Sequence, residues 1–273
     1  MRVAKIAAVV ISLSALALVI PLAGGRTEEK KAGEPESKKE TPQPPPPRGD
    51  AQATPPTTTA AVPVYKPPLR GAPRGRVGGG TRGDEREMFV LLVLAPDHPG
   101  LTVSEQPTLY WFISRSTSSP VELTVVDPRA AEPVLETSIS PPVQPGVHRL
   151  RLADHGVRLA PAVPYRWFVA VVADPAHRSK DILAGGTIER VDPPAGLGAK
   201  LARAGKAELA FDYAEAGLWY DALAAISDMV DSAPDDSGLR SQRAALMVQV
   251  GLPEVAKWET THAAGERPAR PPR

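Results

Sequence analysis

The chain has 273 residues, with 32 basic and 31 acidic side chains and a formal net charge of +1, so its overall charge predicts neither nucleic-acid binding nor attachment to an anionic membrane. It contains no cysteine, which excludes disulfides, thiolate metal sites, a cysteine nucleophile and a lipid-modified N-terminal cysteine. This length accommodates one or two domains.

The first 25 residues have the layout of a secretory signal peptide. Arg2 and Lys5 precede an uncharged apolar run at 6–22, and Ala23 and Gly25 occupy the −3 and −1 positions of a cleavage site. The run is also about long enough to span a bilayer as an uncleaved anchor. Under both interpretations we expect the rest of the chain to be exported, to the periplasm or the extracellular space.

Residues 26–69 are predicted to be a disordered spacer. They are rich in proline, glutamate, lysine and threonine, and Tyr65 is the only aromatic residue before position 88. Such a composition cannot bury enough apolar surface to offset the chain entropy that folding removes. As a flexible coil the spacer would reach on the order of 40 Å, which would separate a membrane from a folded domain.

Residues 70–87 form an Arg/Gly segment that contains a formal G-x-G-x-x-G at Gly78, Gly80 and Gly83. A dinucleotide-binding loop needs a strand before it and a helix after it, whereas prolines precede this segment and a strand pattern follows. An Arg/Gly nucleic-acid segment would recur and interleave aromatic residues, and this one does neither. Two interpretations stay open: a flexible hinge, or a segment (65–83) that docks on the surface of the folded domain.

Residues 88–191 are predicted to form a fibronectin- or immunoglobulin-like β-sandwich. Apolar or alternating runs occur between turn residues at 88–95, 106–114, 120–127, 133–140, 146–153, 164–173 and 181–191, of which the third and fourth read as a hairpin. Leu159, Pro161 and Tyr165 resemble the corner of fibronectin type III domains, where a tyrosine hydroxyl bonds back to the backbone. We therefore expect Tyr165 and Trp167 to lie in the core.

From position 192 the apolar period becomes helical, and residues 192–256 are predicted to form a short tetratricopeptide-like unit. Small residues such as Ala210 and Gly217 stand at offsets typical of that repeat, and Gly251 falls 34 residues after Gly217. One full repeat and a truncated one are too few for independent stability, so we expect these helices to pack against the sandwich. Residues 257–273 are predicted to be a disordered tail.

Four motifs together resemble the bacterial domain of unknown function 928: "PPLRGAPRGRVGGGTRG", "LAPDHPGLTVSEQPTLYWFIS", "AEAGLWYDALAAI" and "LMVQVGL", in that order. The resemblance covers residues 67–252. It implies an exported protein without an established activity and supplies no catalytic residues. It also implies that residues 70–83 belong to the folded domain, which favours the docking interpretation.

The sequence contains no recognisable catalytic or cofactor-binding pattern. The five histidines lack the spacing of zinc ligands or of a catalytic base, and the G-x-S-x-G nucleophile motif is absent. Asp174 with His177, and Asp154 with His155, could bind a cation weakly. We expect no cofactor and no metal, and the sequence favours a protein that is not an enzyme.

The predicted binding residues are Phe211, Glu215 and Trp219. The first two fall on the face that tetratricopeptide repeats turn toward ligands, with packing against the sandwich as the alternative. Trp219 belongs either to a surface cluster or to the core. The leading hypothesis is an exported interaction or scaffold protein whose partner is an envelope protein. A module that binds envelope glycans and a hydrolase with an unrecognised site are the alternatives. We expect no nucleic-acid partner, and membrane contact only through residues 1–25 if they are not cleaved.

Overall fold

The computed structural model of the protein describes residues 61–68, 76–78, 81–82 and 89–262. Two β-sheets and five α-helices lie in that part of the chain. The predicted signal or anchor segment (1–25), the predicted spacer up to residue 60 and the last residues of the predicted tail (263–273) lie outside it. No helix within the described ranges is long and apolar enough to cross a membrane.

The strands in chain order are β1 (Thr81–Arg82), β2 (Phe89–Val93), β3 (Gly100–Thr102), β4 (Thr108–Ile113), β5 (Val121–Val126), β6 (Leu135–Ile139), β7 (Gly146–Arg151), β8 (Pro164–Val171) and β9 (Ile182–Arg190). One sheet has the order β1-β2-β4-β7 and the other the order β3-β9-β8-β5-β6. The β3–β9 pair is parallel and the other pairs are antiparallel. Each of the seven predicted runs contains one strand, and the predicted hairpin is the β5–β6 pair.

Alternation along the strands decides which side chains enter the core. In β5 the apolar residues at alternate positions are buried, while Glu122 points outward and pairs with Arg178 at 2.6 Å, as its position predicts. Trp167 is fully buried. The expected hydrogen bond between the Tyr165 hydroxyl and the backbone is also observed, since the backbone N–H of Ala160 donates to that hydroxyl over 3.1 Å.

The helices are α1 (Leu197–Leu201), α2 (Lys206–Glu215), α3 (Trp219–Ser232), α4 (Ser237–Gln249) and α5 (Pro253–Thr261). α2 packs on α3 and α4 packs on α5. The Asp236 carboxylate caps α4 by accepting from the backbone N–H groups of Gly238 and Leu239, at 2.8 and 3.1 Å. Gly217 and Gly251 follow α2 and α4 with φ of +75° and +71°, a left-handed conformation that favours glycine.

The prediction of a disordered tail from residue 257 is wrong for its first residues, because α5 continues to Thr261. Two side chains of this last turn and a half pack inward. The Trp258 ring meets the Phe112 ring edge-on at 5.7 Å and lies against Gly146, and the Glu259 side chain is buried between α4 and α5. Tertiary packing therefore extends the helix into a region whose composition favours disorder.

Three consecutive residues at the start of α3 join the helices to the sheets. The Trp219 indole donates to the Leu94 carbonyl at 2.9 Å, and the Tyr220 hydroxyl accepts from the Trp167 indole at 2.9 Å. Asp221 accepts from the Thr102 hydroxyl and from the backbone of Val103, at 3.1 and 3.0 Å. The expected packing of the helices against the sheets is thus observed. Leu218, which precedes α3, and Leu223 and Ile226 on α3 are fully buried.

Replacing Asp221 by asparagine is expected to remove a pH dependence of stability. Burial raises the pKa of Asp221 from 3.8 to about 6, so between these values the folded state binds a proton that the unfolded state releases. The stabilising contribution of the protonated group is present below about pH 4 and is lost as the pH rises through 6. Relative to D221N, the free energy of unfolding of the wild type should fall by on the order of 2 kcal/mol over this range.

Urea unfolding of both proteins at the two ends of this pH range measures the effect. Asp235→Asn, which changes an exposed carboxylate in the turn before α4, is the control and should leave the pH dependence intact. A difference between wild type and D221N that stays constant with pH would contradict the expectation.

Candidate functional site

The strongest candidate site is a groove at the ends of α2 and α4, and an extended stretch of the chain itself fills it. We name this stretch, residues 61–68, the docked segment. The groove is lined by His98, Ala214, Glu215, Gly217, Trp219 and Gln249. The prediction of a disordered spacer up to residue 69 is therefore wrong at its C-terminal end, residues 61–68, and the docking interpretation, which began at residue 65, holds for residues 65–68.

Tyr65 anchors the docked segment. Only 7% of the residue is exposed, and its ring meets the Trp219 ring edge-on at 5.1 Å and stacks on the His98 ring at 5.9 Å. The Pro99 carbonyl accepts from Nδ1 of His98 at 3.0 Å, and Nε2 of the same ring lies 3.4 Å from the Tyr65 hydroxyl, within hydrogen-bonding distance. Burial raises the pKa of Tyr65, so the hydroxyl keeps its proton. The pocket thus suits a neutral aromatic ring with one polar end.

The groove holds the backbone on both sides of this anchor. The Gln249 side chain accepts from the backbone N–H of Tyr65 at 2.8 Å and donates to the Pro63 carbonyl at 2.9 Å. The backbone N–H of Lys66 donates to the Ala214 carbonyl at 3.0 Å, near the C-terminal end of α2. These bonds satisfy main-chain groups rather than side chains, so the groove recognises an extended backbone with one specific ring.

Gly217 allows the backbone to come this close. A Cβ atom at this position would lie 2.7 Å from the Lys66 carbonyl oxygen, a distance that real Cβ contacts do not show. Gly251 has the same left-handed conformation after α4, yet the nearest atom to its hypothetical Cβ is a side-chain nitrogen of Arg76, at 3.7 Å. The two glycines are therefore equivalent in conformation and different in what they contact.

The predicted site residue Glu215 lies at the rim of the groove. It pairs with Lys66 at 2.9 Å and with Lys200 at 2.7 Å, and Lys200 also pairs with Asp212 at 2.9 Å. Hydrogen bonds from Lys200 and Lys66 lower the pKa of Glu215 to about 2. Exposed ion pairs add little stability, so this cluster contributes mainly a preference for a cation at the position of Lys66.

The structure separates the other two predicted site residues. Phe211 is half-buried on α2 and lines an open cleft of about 490 Å³ between α1 and α2, with Lys200, Arg203 and Glu208. Trp219 is fully buried with the docked segment in place, so the core interpretation of this residue is the observed one. It supports the groove from beneath through its contact with Tyr65.

Arg76 of the Arg/Gly segment lies beside the same groove. Its guanidinium donates to the Ala95 carbonyl at 3.3 Å and to the carbonyls of Val250 and Gly251 at 3.1 and 3.2 Å, and it pairs with Asp97 at 3.2 Å. Carbonyls at the C-terminal end of a helix are unsatisfied and attract a cation, which explains the position at the end of α4. Both residues lie in motifs that carry the family resemblance, Arg76 in "PPLRGAPRGRVGGGTRG" and Gln249 in "LMVQVGL". Sequence reasoning gave neither residue a role, because their partners at the groove are more than 170 residues away in the chain.

The two weak cation sites that the sequence suggests have little support. His177 lies 2.6 Å from Asp174 in an exposed loop, where it serves to order the turn. Within the described residues, no group of three or more histidine, aspartate and glutamate side chains is placed to hold a metal ion.

Comparison with known protein families gives a match. No curated protein matches the chain. A family described as Domain of Unknown Function (DUF928) matches residues 77–260, which is more than half of the chain. The matched range contains the helices that line the groove, while the docked segment precedes it. The chain thus belongs to the DUF928 family, in agreement with the resemblance of its motifs.

Proposed function

We propose that this protein is an exported, non-enzymatic interaction or scaffold protein of the bacterial envelope. One observation carries the proposal: the helices hold an extended segment through hydrogen bonds to its backbone and one buried aromatic anchor, which is how many domains recognise peptides. The apolar N-terminal run with basic residues before it supports export.

The proposal includes a finer description of the fold. A fibronectin- or immunoglobulin-like arrangement of the sheets is supported by the hydrogen bond between Ala160 and the Tyr165 hydroxyl. A tetratricopeptide-like arrangement of the helices is supported by Gly217 and Gly251, which share a left-handed conformation at the 34-residue spacing of that repeat. Both arrangements are common scaffolds for recognition, although neither defines a function by itself.

The alternative of an envelope glycan-binding module has weaker support. It needs exposed aromatic rings on a face of a sheet. Trp111 and Trp167 in the described strands are fully buried, and the half-buried ring of Phe168 has the Arg166 guanidinium 4.9 Å above its centre. A hydrolase with an unrecognised site stays the second alternative.

Capture of the tagged full chain from gently solubilised envelope is expected to yield a stoichiometric protein partner. The F211A/E215A double variant should lower its recovery at least tenfold, because Phe211 lines the open cleft between α1 and α2 and Glu215 lies at the rim of the groove. Glu136→Ala, in the exposed part of β6, is the matched control and should retain the partner. The partner, once identified by mass spectrometry, should bind the purified protein.

One result would contradict the interaction function, and a second would contradict the assignment of its surface to the helices. Retention on peptidoglycan or capsule after removal of proteins, with no protein partner, would favour the glycan-binding alternative. Equal recovery by wild type and the F211A/E215A variant would remove the helices from the proposed binding surface.

A further inference from the structure

Exposed apolar side chains lie at the groove. Val62 and Val64 of the docked segment are both exposed, Val64 to 58%. Val248, next to Gln249, is 59% exposed. Three of the six exposed large apolar residues among those described thus lie in the docked segment or next to Gln249, which binds it. Such a concentration marks a surface that meets another molecule.

We propose that this surface meets a second copy of the chain, and that the two copies exchange their docked segments, so that residues 61–68 of one fill the groove of the other. This inference rests on the proposed interaction function and names a partner for it. The occupant is known to fit, since the same eight residues fill the groove within one chain.

Exchange costs little in contacts. In the exchanged form the same contacts would form between two chains instead of within one: the Tyr65 ring contact, the Gln249 hydrogen bonds and the Lys66–Glu215 pair. The exchanged and unexchanged forms therefore differ mainly in entropy. A segment tethered to its own groove has an effective concentration in the millimolar range. The unexchanged form therefore dominates at micromolar concentration, and the fraction of exchanged chains rises with the local protein concentration.

The chain also limits how two copies can meet. Pro68 and Arg76 are eight residue steps apart, which span at most about 28 Å. Arg76 is bound to the carbonyls of Val250 and Gly251, immediately after Gln249 in the groove. If Arg76 keeps these bonds, the copies must face one another at the ends of α4, where Val64 and Val248 are exposed.

Two complementary variants of the full chain test the exchange. Tyr65→Ala removes the anchor from the segment and leaves the groove open. Gly217→Ala places a Cβ against the Lys66 carbonyl and closes the groove, but leaves the segment intact. Each variant alone should stay monomeric at micromolar concentration. When the two are mixed, a C-terminally tagged Y65A chain should retain untagged G217A at a ratio of about one to one. The reason is that the intact segment of G217A enters the open groove of Y65A.

The controls separate exchange from other association. Gly251→Ala introduces the same backbone strain without the steric block, so the segment of G251A stays in its own groove. Tagged Y65A should therefore retain at least tenfold less G251A than G217A. The Y65A/G217A double variant, mixed with wild type, should form no complex. If circular dichroism shows that G217A is unfolded, Gln249→Ala takes its place as the variant whose groove no longer holds the segment.

Absence of a complex between folded Y65A and folded G217A or Q249A would overturn the exchange. Equal retention of G217A and G251A would overturn it as well, since the segment would then play no part. Because only purified chains are used, either result leaves the envelope capture experiment, and with it the proposed interaction function, untouched.

Discussion

Replacing Glu259 by glutamine is expected to lower the free energy of unfolding by about 3 to 5 kcal/mol. Glu259 on α5 and Arg243 on α4 form an ion pair in which one Nη2 contacts both carboxylate oxygens, at 2.7 and 2.9 Å, and both side chains are buried. The glutamine would leave the guanidinium buried without a counter-charge, and restoring its solvation would require α5 to separate from α4. Urea unfolding of the two proteins measures the loss.

A paired replacement separates the charge from the packing. In R243M/E259L both charges are removed together and apolar side chains of similar volume fill the space, so most of the lost stability should return. Nε of Arg243 has no hydrogen-bond partner among the described residues. Replacing the pair therefore also removes an unsatisfied buried donor, which favours the stability of R243M/E259L. A loss below about 1 kcal/mol for E259Q would mean that water reaches the pair and that α5 is loosely held.

Replacing Trp219 by alanine is expected to lower the free energy of unfolding by about 3 to 5 kcal/mol, the usual cost of deleting a buried indole. The side chain is fully buried between helices and sheets, and its N–H satisfies the Leu94 carbonyl at 2.9 Å. Trp219→Phe keeps a ring and loses the N–H, so it should lower the free energy of unfolding by about 1 to 3 kcal/mol through the unsatisfied carbonyl.

W219A should also release the docked segment, because the Trp219 ring supports the Tyr65 ring. Hydrogen exchange at the backbone amides of Tyr65 and Lys66, which donate to Gln249 and Ala214, reports this release. Exchange should be faster in W219A than in E259Q, where the groove is not altered directly. Unchanged protection of both amides in W219A would show that Trp219 does not support the segment.

The parts of the fold that could be predicted are those encoded locally. Alternation marks β5, and the turn and corner residues around Tyr165 predict its hydrogen bond to the backbone. β3 escaped prediction because three residues are too few to show a pattern, and because its partner β9 lies more than eighty residues further on. The end of α5 was misjudged because Glu259 owes its order to Arg243, which no local pattern near residue 259 reveals.

The candidate site divides in the same way. Glu215 was predicted from its offset within a repeat and does contact an extended segment, but the segment belongs to the chain itself. The proline-rich composition around Tyr65 predicts disorder, and order comes from Gln249, 184 residues away in the sequence. A signal was nevertheless present: a lone tyrosine within a long stretch without other aromatic residues has no local use, which suggests a distant partner.

The large sequence separation between the docked segment and its groove sets an order of events during synthesis. The chain emerges with its N-terminal side first, so residues 61–68 appear well before Ala214 and Gln249. Throughout that interval Tyr65 has no pocket, and the segment is open to any molecule that meets it, including a neighbouring chain at the same stage. Closure of the groove is therefore among the last steps of folding, and the buried Tyr65 ring is a sign that the chain has been completed as far as the end of α4.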